Sequence, residues 1–351
     1  MSESRKTEYG SHRIEKEERR NLELTFRNAK HNLHALLDSE KGCPASSLKV
    51  LGYPLIVRNV NIAQSIFDID TVSIPDKFSN ACTLVQSNFP AITVNEFYDS
   101  EEDSEKYTRS VSEFGSANRT RLLTPVEVKD DSVDIPINSL IHNLSATFHS
   151  NSCIDQALRV DLLTYPWDFL NGVQTVLHNE LTRSIVSPNA NVATTSIIRG
   201  PCLIENDVII DDFCKIIGPT YIGSGSFIGM SSLVRKSVLG CNTKIGFNCE
   251  IGRSFFEGHD KIAHQNVILD SIIGEDVWFG GYSGTVNVTD DRKNVRYQIG
   301  ERLMDTGTDH FGAVIGNHCA IGASVTILPG MQIPPNTVTQ AGAVIGKKEI
   351  A

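Results

Sequence analysis

The sequence predicts a parallel β-helix of hexapeptide turns preceded by a small α/β domain. Three observations carry this expectation. An aliphatic residue returns at every sixth position: Ile198, Ile204, Ile210, Ile216, Ile222, Ile228 and Val234; after a one-residue slip, Leu239, Ile245 and Ile251; then Val267, Ile273 and Phe279; and beyond a gap, Ile315, Ile321, Ile327, Ile333, Thr339 and Ile345. Thr339 is the one polar residue in that register. Glycine often follows, as at Gly223, Gly229, Gly240 and Gly246, and the residues between are polar. A six-residue period matches neither a 3.6-residue helix nor a simple strand. It matches a three-sided coil of three hexapeptides, in which residues about eighteen apart stack at a strand spacing of about 4.8 Å. The aliphatic residues then form inward columns, and each glycine suits a tight corner with positive φ. No coil can bury its core alone, so stability comes from stacked neighbours.

The other elements follow in chain order. Residues 12–38 read as a helix with Leu22, Phe26, Ala29, Leu33 and Leu36 on one face, giving an N-terminal helix over 1–40. Residues 48–97 alternate strand-like and helix-like pieces, the pattern of a small α/β domain over 41–164. An acidic surface loop spans 98–106. A bridging helix starting near Pro166 occupies 165–185, the β-helix fills 186–351, and 280–312 reads as a loop insertion.

A chain of 351 residues has room for two domains, and its net charge of −10 argues against a nucleic-acid partner. No apolar run reaches the length of a membrane span and the first ten residues hold no apolar signal segment, so no membrane partner and a cytoplasmic location are expected. The eight cysteines form no CxxC pair, hence no zinc framework. Cys202, Cys214, Cys241, Cys249 and Cys319 fall inside hexapeptides as small buried hydrophobes.

The segment YPWDFL at Tyr165–Leu170, together with SIIGEDVWFG and DTGTDHFGAVIGNHCAIGASVTILPG, resembles the sugar-1-phosphate nucleotidylyltransferases that carry a C-terminal left-handed β-helix acyltransferase domain. Bifunctional glucosamine-1-phosphate acetyltransferase/uridylyltransferases are the best-known members. The resemblance is good over 165–347 and weak over 48–97. It implies acetyl-CoA as cosubstrate, a sugar phosphate or nucleotide sugar as acceptor, and a homotrimer with sites between subunits. The family's GxGTRL-like nucleotide loop has no counterpart, since the only glycines in residues 1–60 are Gly10, Gly42 and Gly52. Asp130 and Asp131 suggest magnesium only by adjacency and read better as a solvated turn. The N-terminal domain is therefore expected to be a shrunken nucleotidylyltransferase-like unit without nucleotidyl transfer.

N-acetylation needs a base near the amine, cations for the sugar phosphate and donors for the thioester oxyanion. The resemblance assigns His264 as base, with His259 as rival, and Asn287 as the donor to substrate or oxyanion. Arg235 matches a sugar-phosphate arginine and Arg253 lies eighteen residues on, one coil above; two stacked guanidiniums would repel unless an anion lay between them, the other reading being two solvated surface arginines; Lys236 and Lys244 could contribute. The resemblance places the acetyl-CoA groove near Ala323, Ala341 and Gly342. Three positions depart from the pattern: Val267 for a tyrosine, Trp278 for an asparagine and His310 for a lysine. Trp278 and Tyr282 would instead offer a flat apolar surface. Lys293, Arg296 and Arg302 in the insertion could meet phosphates or simply be solvated. Two other readings stand beside the acyltransferase. One is a catalytically degenerate subunit that binds nucleotide sugar or an active homologue. The other is a β-helix carbonic anhydrase with metal on His259, His264, His310 and His318, although no spacing enforces three converging histidines.

Overall fold

The computed structural model describes residues 165–346 without a break and, ahead of them, 21–27, 49–50, 53–66, 68–75, 79–97, 123–124, 127–129, 132–136, 139–143 and 158–162. The C-terminal half is a parallel β-helix with three faces. The first face stacks eight strands from Ile185–Val186 to Met331–Ile333, the second seven from Asn191–Val192 to Ala320–Ile321, and the third eight from Ile197–Arg199 to Val344–Ile345. The inward columns form as the periodicity predicts. One runs through Ile204, Ile222, Leu239, Phe256, Ile273, Ile315 and Ile333, another through Ile210, Ile228, Ile245, Ile262, Phe279 and Ile321, nearly all fully buried.

Coil length is where expectation and structure part. The lower coils repeat at eighteen residues, but Val234, Ile251, Ile268 and Thr285 stack at seventeen. The shortened corner lies between the third and first faces, at Lys236–Ser237, Arg253–Ser254 and Asp270–Ser271. Two readings are corrected by it. Val267 is 44% exposed and Ile268 takes the inward place. Thr285 is a second polar residue in the column, buried and bonded through Oγ1 to the Leu269 N–H at 3.0 Å and to Ser271 Oγ at 2.8 Å.

The glycine expectation is also corrected. Gly223, Gly229, Gly240 and Gly246 do not have positive φ. They are needed because coils press together: a Cβ on Gly246 would stand 2.8 Å from the Ala263 carbonyl carbon. Positive φ falls two residues later and is held mostly by other residues, among them Ser231, Asn242, Asn248, Asp276, Tyr282 and His318.

After helices α1 (Leu55–Ile66) and α2 (Ser79–Asn88) of the N-terminal sheet, helix α3 (Pro166–Glu180) covers the first face. Pro166 starts α3, and the Asp168 carboxylate accepts the Tyr165 N–H at 2.9 Å, which explains the YPWD spelling. Trp167, Phe169, Leu170, Val173 and Val176 bury against Tyr221, Val238, Phe255 and Ile272. The insertion begins after Val286 rather than at Gly280, since Gly280–Ser283 is an ordinary corner and Gly284–Thr285 an ordinary strand. It carries an antiparallel hairpin, Arg296–Ile299 with Arg302–Asp305, and lays Val295, Tyr297 and Phe311 beside Trp167 on the first face. Much of it is thus a cover for the prism.

The N-terminal part contains a five-stranded sheet in the order Thr93–Phe97, Asp68–Pro75, Asn21–Arg27, Ser132–Pro136, Glu127–Lys129, parallel except for the last pair. Helices α1 (Leu55–Ile66) and α2 (Ser79–Asn88) connect its strands, as a small α/β domain requires. The helix expected over 12–38 is overturned at its centre. NLELTFR alternates apolar and polar residues with period two, and Asn21–Arg27 is the central strand of the sheet. The α/β unit therefore starts before residue 41. The rest of 12–38, the acidic loop 98–106, and Asp130 and Asp131 lie outside the described residues.

Candidate functional site

The β-helix sorts the candidate residues into two groups. The corner between the second and third faces carries His264, and backbone hydrogen bonds stack Gly281, Ala323 and Ala341 above it: Tyr282 N–H to His264 O, Ser324 N–H to Gly281 O, and Gly342 N–H to Ala323 O. Tyr282, 70% exposed, stands beside this column, and Gly342 sits on its topmost coil. Trp278, 46% exposed, faces outward on the adjoining second face. His264, Tyr282, Trp278, Ala323, Ala341 and Gly342 thus share one edge of the prism. Above the imidazole the corner column itself carries only the small residues Gly281, Ala323 and Ala341, with exposed Tyr282 beside it.

The second group lies across the third face. Arg253 Nε donates to Asp270 Oδ1 at 2.6 Å, and Asn287 Nδ2 donates to Asp270 Oδ2 at 2.6 Å. Asn287 O also accepts the Phe311 N–H, closing the neck of the insertion. Arg235 pairs with Glu250 at 2.9 Å, and its guanidinium lies over Gly252, where an added Cβ would be 2.9 Å from Cζ. Each arginine already has a carboxylate, so the repulsion that would have called for an anion between them does not arise. Arg235 and Arg253 also occupy different positions of their coils, because Gly252, not Arg253, stacks on Arg235.

Within one chain, then, His264 and Asn287 occupy different corners and do not converge. The His264 ring is exposed and has no hydrogen-bond partner among the described residues. His310 Nδ1 meets Asp309 at 2.7 Å on the exposed insertion, and His318 Nδ1 meets Asp276 at 3.4 Å on the corner between the first and second faces, where His259 also lies. His259, His264, His310 and His318 are therefore scattered, and among the described residues no three His, Cys, Asp or Glu side chains could hold a metal ion. Within one chain, among the described residues, the carbonic anhydrase reading therefore has no such cluster to rest on.

Sequence reasoning missed three things that the seventeen-residue repeat holds. Arg253, Asp270 and Asn287 are spaced at seventeen, as are Lys244, Lys261 and Trp278, and Ser237, Ser254 and Ser271. Cys202, Cys214, Cys249 and Cys319 are buried as expected, while Cys241 is only partly so. Cys214 and Cys249 are more than hydrophobes. The Cys249 thiol donates to Ala263 O at 3.0 Å, and Cys214 to Gly229 O at 3.1 Å. Among the described residues no helix is long and apolar enough to cross a membrane.

Comparison with known proteins agrees with the repeat. Residues 201–236 match the bacterial transferase hexapeptide (six repeats) family. A bifunctional sugar-1-phosphate nucleotidylyltransferase/acetyltransferase of Sulfurisphaera tokodaii is 37% identical over 87 residues, covering 25% of this chain and 22% of that protein. The bifunctional protein GlmU of Methanococcus vannielii is 32% identical over 184 residues, covering 52% of this chain and 43% of that protein. A solved variant of AntD, an N-acyltransferase from Bacillus cereus in complex with dTDP and coenzyme A, aligns at 18% identity over 44% of this chain and 67% of that one, with a TM-score of 0.21, too low to carry any argument. The chain spans less than half the length of either of these curated relatives. Its β-helix carries the bacterial transferase hexapeptide, and the chain is similar to the bifunctional sugar-1-phosphate nucleotidylyltransferase/acetyltransferases.

Proposed function

We propose that the protein is an acyltransferase that moves an acyl group, acetyl in the first instance, from coenzyme A to the amine of an amino-sugar phosphate or nucleotide sugar. One observation carries the reading. An exposed imidazole, His264, lies at the foot of a corner column of small residues, Gly281, Ala323 and Ala341, beside which a slender thioester has room to lie. The amine nitrogen attacks the thioester carbonyl, His264 takes the amine proton, the carbon–sulfur bond breaks, and the thiolate leaves and is protonated. The similarity to sugar-1-phosphate acetyltransferases supports the acceptor class.

A homotrimer is part of the proposal, because a second prism would supply what one chain lacks. Ile209, Phe213, Met230 and Phe247 flank the His264 corner, and Ile197 and Val267 lie on the third face, all exposed. Burying them between prisms relieves that apolar surface and brings the Asn287 corner of one copy toward the His264 corner of another. The test is acetyl-CoA turnover over a panel of amino-sugar phosphates and nucleotide sugars. His264→Ala should lower kcat by about 10²-fold or more while coenzyme A binding persists. Turnover that is unchanged in the variant sinks the assignment, and a wild type with no turnover favours the degenerate subunit. Sedimentation should give three chains, and Phe247→Asp should dissociate them.

A further inference from the structure

We infer that Lys244, Lys261 and Trp278 form a subsite for a nucleoside bearing two phosphates, with the base on the indole and the phosphates on the two ammonium groups. The three residues stack in register on consecutive strands of the second face: Lys244 against Lys261, and Lys261 against Trp278. All three are exposed. In-register stacking sets their backbones about 4.8 Å apart, so the two lysines are held as parallel like charges.

Two arginines of the third face and its corner are neutralised by the chain itself. Arg235 is matched by Glu250 and Arg253 by Asp270, each carboxylate on the next coil up. Lys244 and Lys261 have no such carboxylate among the described residues, in a chain whose net charge is −10. Unneutralised, adjacent and topped by an exposed indole, they suit a ligand that brings its own negative charge and a flat ring. The span fits: from base to second phosphate is a distance of about two strand spacings. Aromatic stacking and two charge-assisted contacts act on the parts common to every such ligand.

The subsite lies beside the proposed reaction centre. Lys261 precedes His264 by three residues in the same coil, about 10 Å of extended chain, and Lys244, which holds the second phosphate, lies one strand spacing of about 4.8 Å below Lys261, so a sugar attached to that phosphate can reach the corner. The inference rests on the acyltransferase reading only for what happens at that sugar. Two sources offer the chemistry, the nucleoside diphosphate of a nucleotide sugar and the phosphorylated adenosine of coenzyme A. The test separates them with UDP and coenzyme A as alternative probes and glucosamine-1-phosphate as a probe without a base.

The chain has two tryptophans, and Trp167, on α3, is buried against Tyr297 and Phe311, so iodide quenching of the folded protein reports on Trp278. UDP or coenzyme A should bind saturably by calorimetry and shield Trp278 from iodide. The double variant Lys244→Ala/Lys261→Ala should bind about tenfold more weakly or worse, and Lys244→Gln/Lys261→Gln should behave alike if truncation harms folding. Shielding by UDP identifies the acceptor as source, and shielding by coenzyme A alone the cosubstrate. Affinity unchanged in both double variants, no binding of either probe, or lysine-dependent binding of glucosamine-1-phosphate alone would each overturn the subsite. His264→Ala should leave this binding intact. Binding as described without turnover therefore defeats the acyl-transfer reading alone, and turnover with KM unmoved in the lysine variants defeats the subsite alone.

Discussion

Asp260 shows how one residue can be held against its own chemistry. It is fully buried at the corner between the first and second faces, where neighbouring coils place Thr243 and Val277. Thr243 does what that place asks: its N–H is bonded by the Ser226 hydroxyl of the coil below, and its own hydroxyl donates to Gly240 O at 2.9 Å. Asp260 Oδ1 accepts the Val277 N–H at 2.9 Å, but Oδ2 is buried without a hydrogen bond. Burial, reinforced by the charges of Glu257 and Asp276 and opposed by the N–H groups of Val277 and Gly258, pushes the carboxyl well above the usual carboxylate range. The folded state therefore holds a proton that the unfolded chain gives up near pH 4. The stability from this group is full below that pH and falls as pH rises toward the folded-state pKa. Asn266, on the neighbouring corner, shows the remedy, since its amide donates to Ala263 O at 2.9 Å and accepts the Ser283 N–H at 3.0 Å. Asp260→Asn should raise stability at pH 7–8 by about 1–3 kcal/mol and flatten the loss between pH 5 and 8, as read from urea melts at each pH. Nothing in the sequence marks this residue, because GHDKI shows an acid among polar neighbours and not whether water reaches it.

At the scale of elements, the shortened corner is built on a ladder of buried serines. Ser237, Ser254 and Ser271 are fully buried; each hydroxyl accepts the N–H of the next rung, at 3.1 Å for Ser254, Ser271 and finally Ala313, and donates to a carbonyl of its own coil. Ser254→Ala strands the Ser271 N–H in an apolar interior and should cost about 1–3 kcal/mol in urea unfolding. Ser254→Cys should lose less, since Cys249 bridges coils through its sulfur, whereas exposed Ser231→Ala should change stability by less than about 0.5 kcal/mol. The prism, its inward columns and the bridging helix were legible in the sequence because each obeys a period that sterics enforce. The helix expected over 12–38 was not: a window reading of Leu22, Phe26, Ala29 and Leu33 favoured a 3.6-residue period, while Leu22, Leu24 and Phe26 fit a strand only once Asp68–Pro75 and Ser132–Pro136 flank it.

The whole molecule makes thiol reactivity a measure of its packing. Burial pushes the Cys202 thiol up to about 11, and burial with the Glu96 carboxylate beside it pushes Cys82 up to about 12; burial also raises Cys214, Cys249 and Cys319. The thiolate is the nucleophile, so these groups should be inert at pH 8 until the fold opens. In a Cys43→Ser/Cys153→Ser background, a thiol reagent should label the partly exposed Cys241 promptly and the other cysteines only on unfolding. Prompt labelling of several thiols would show that the prism opens far more readily than its packing implies. By itself the sequence determined that the C-terminal half winds into a three-sided prism, because an aliphatic residue every sixth position can be buried by no other regular path. The tertiary structure alone decided which residues meet. One residue fewer per coil moves side chains between the inside, the corners and the outside, and that arithmetic put His264 beside Trp278, gave Arg253 and Asn287 to Asp270, and left Lys244 and Lys261 stacked in the open.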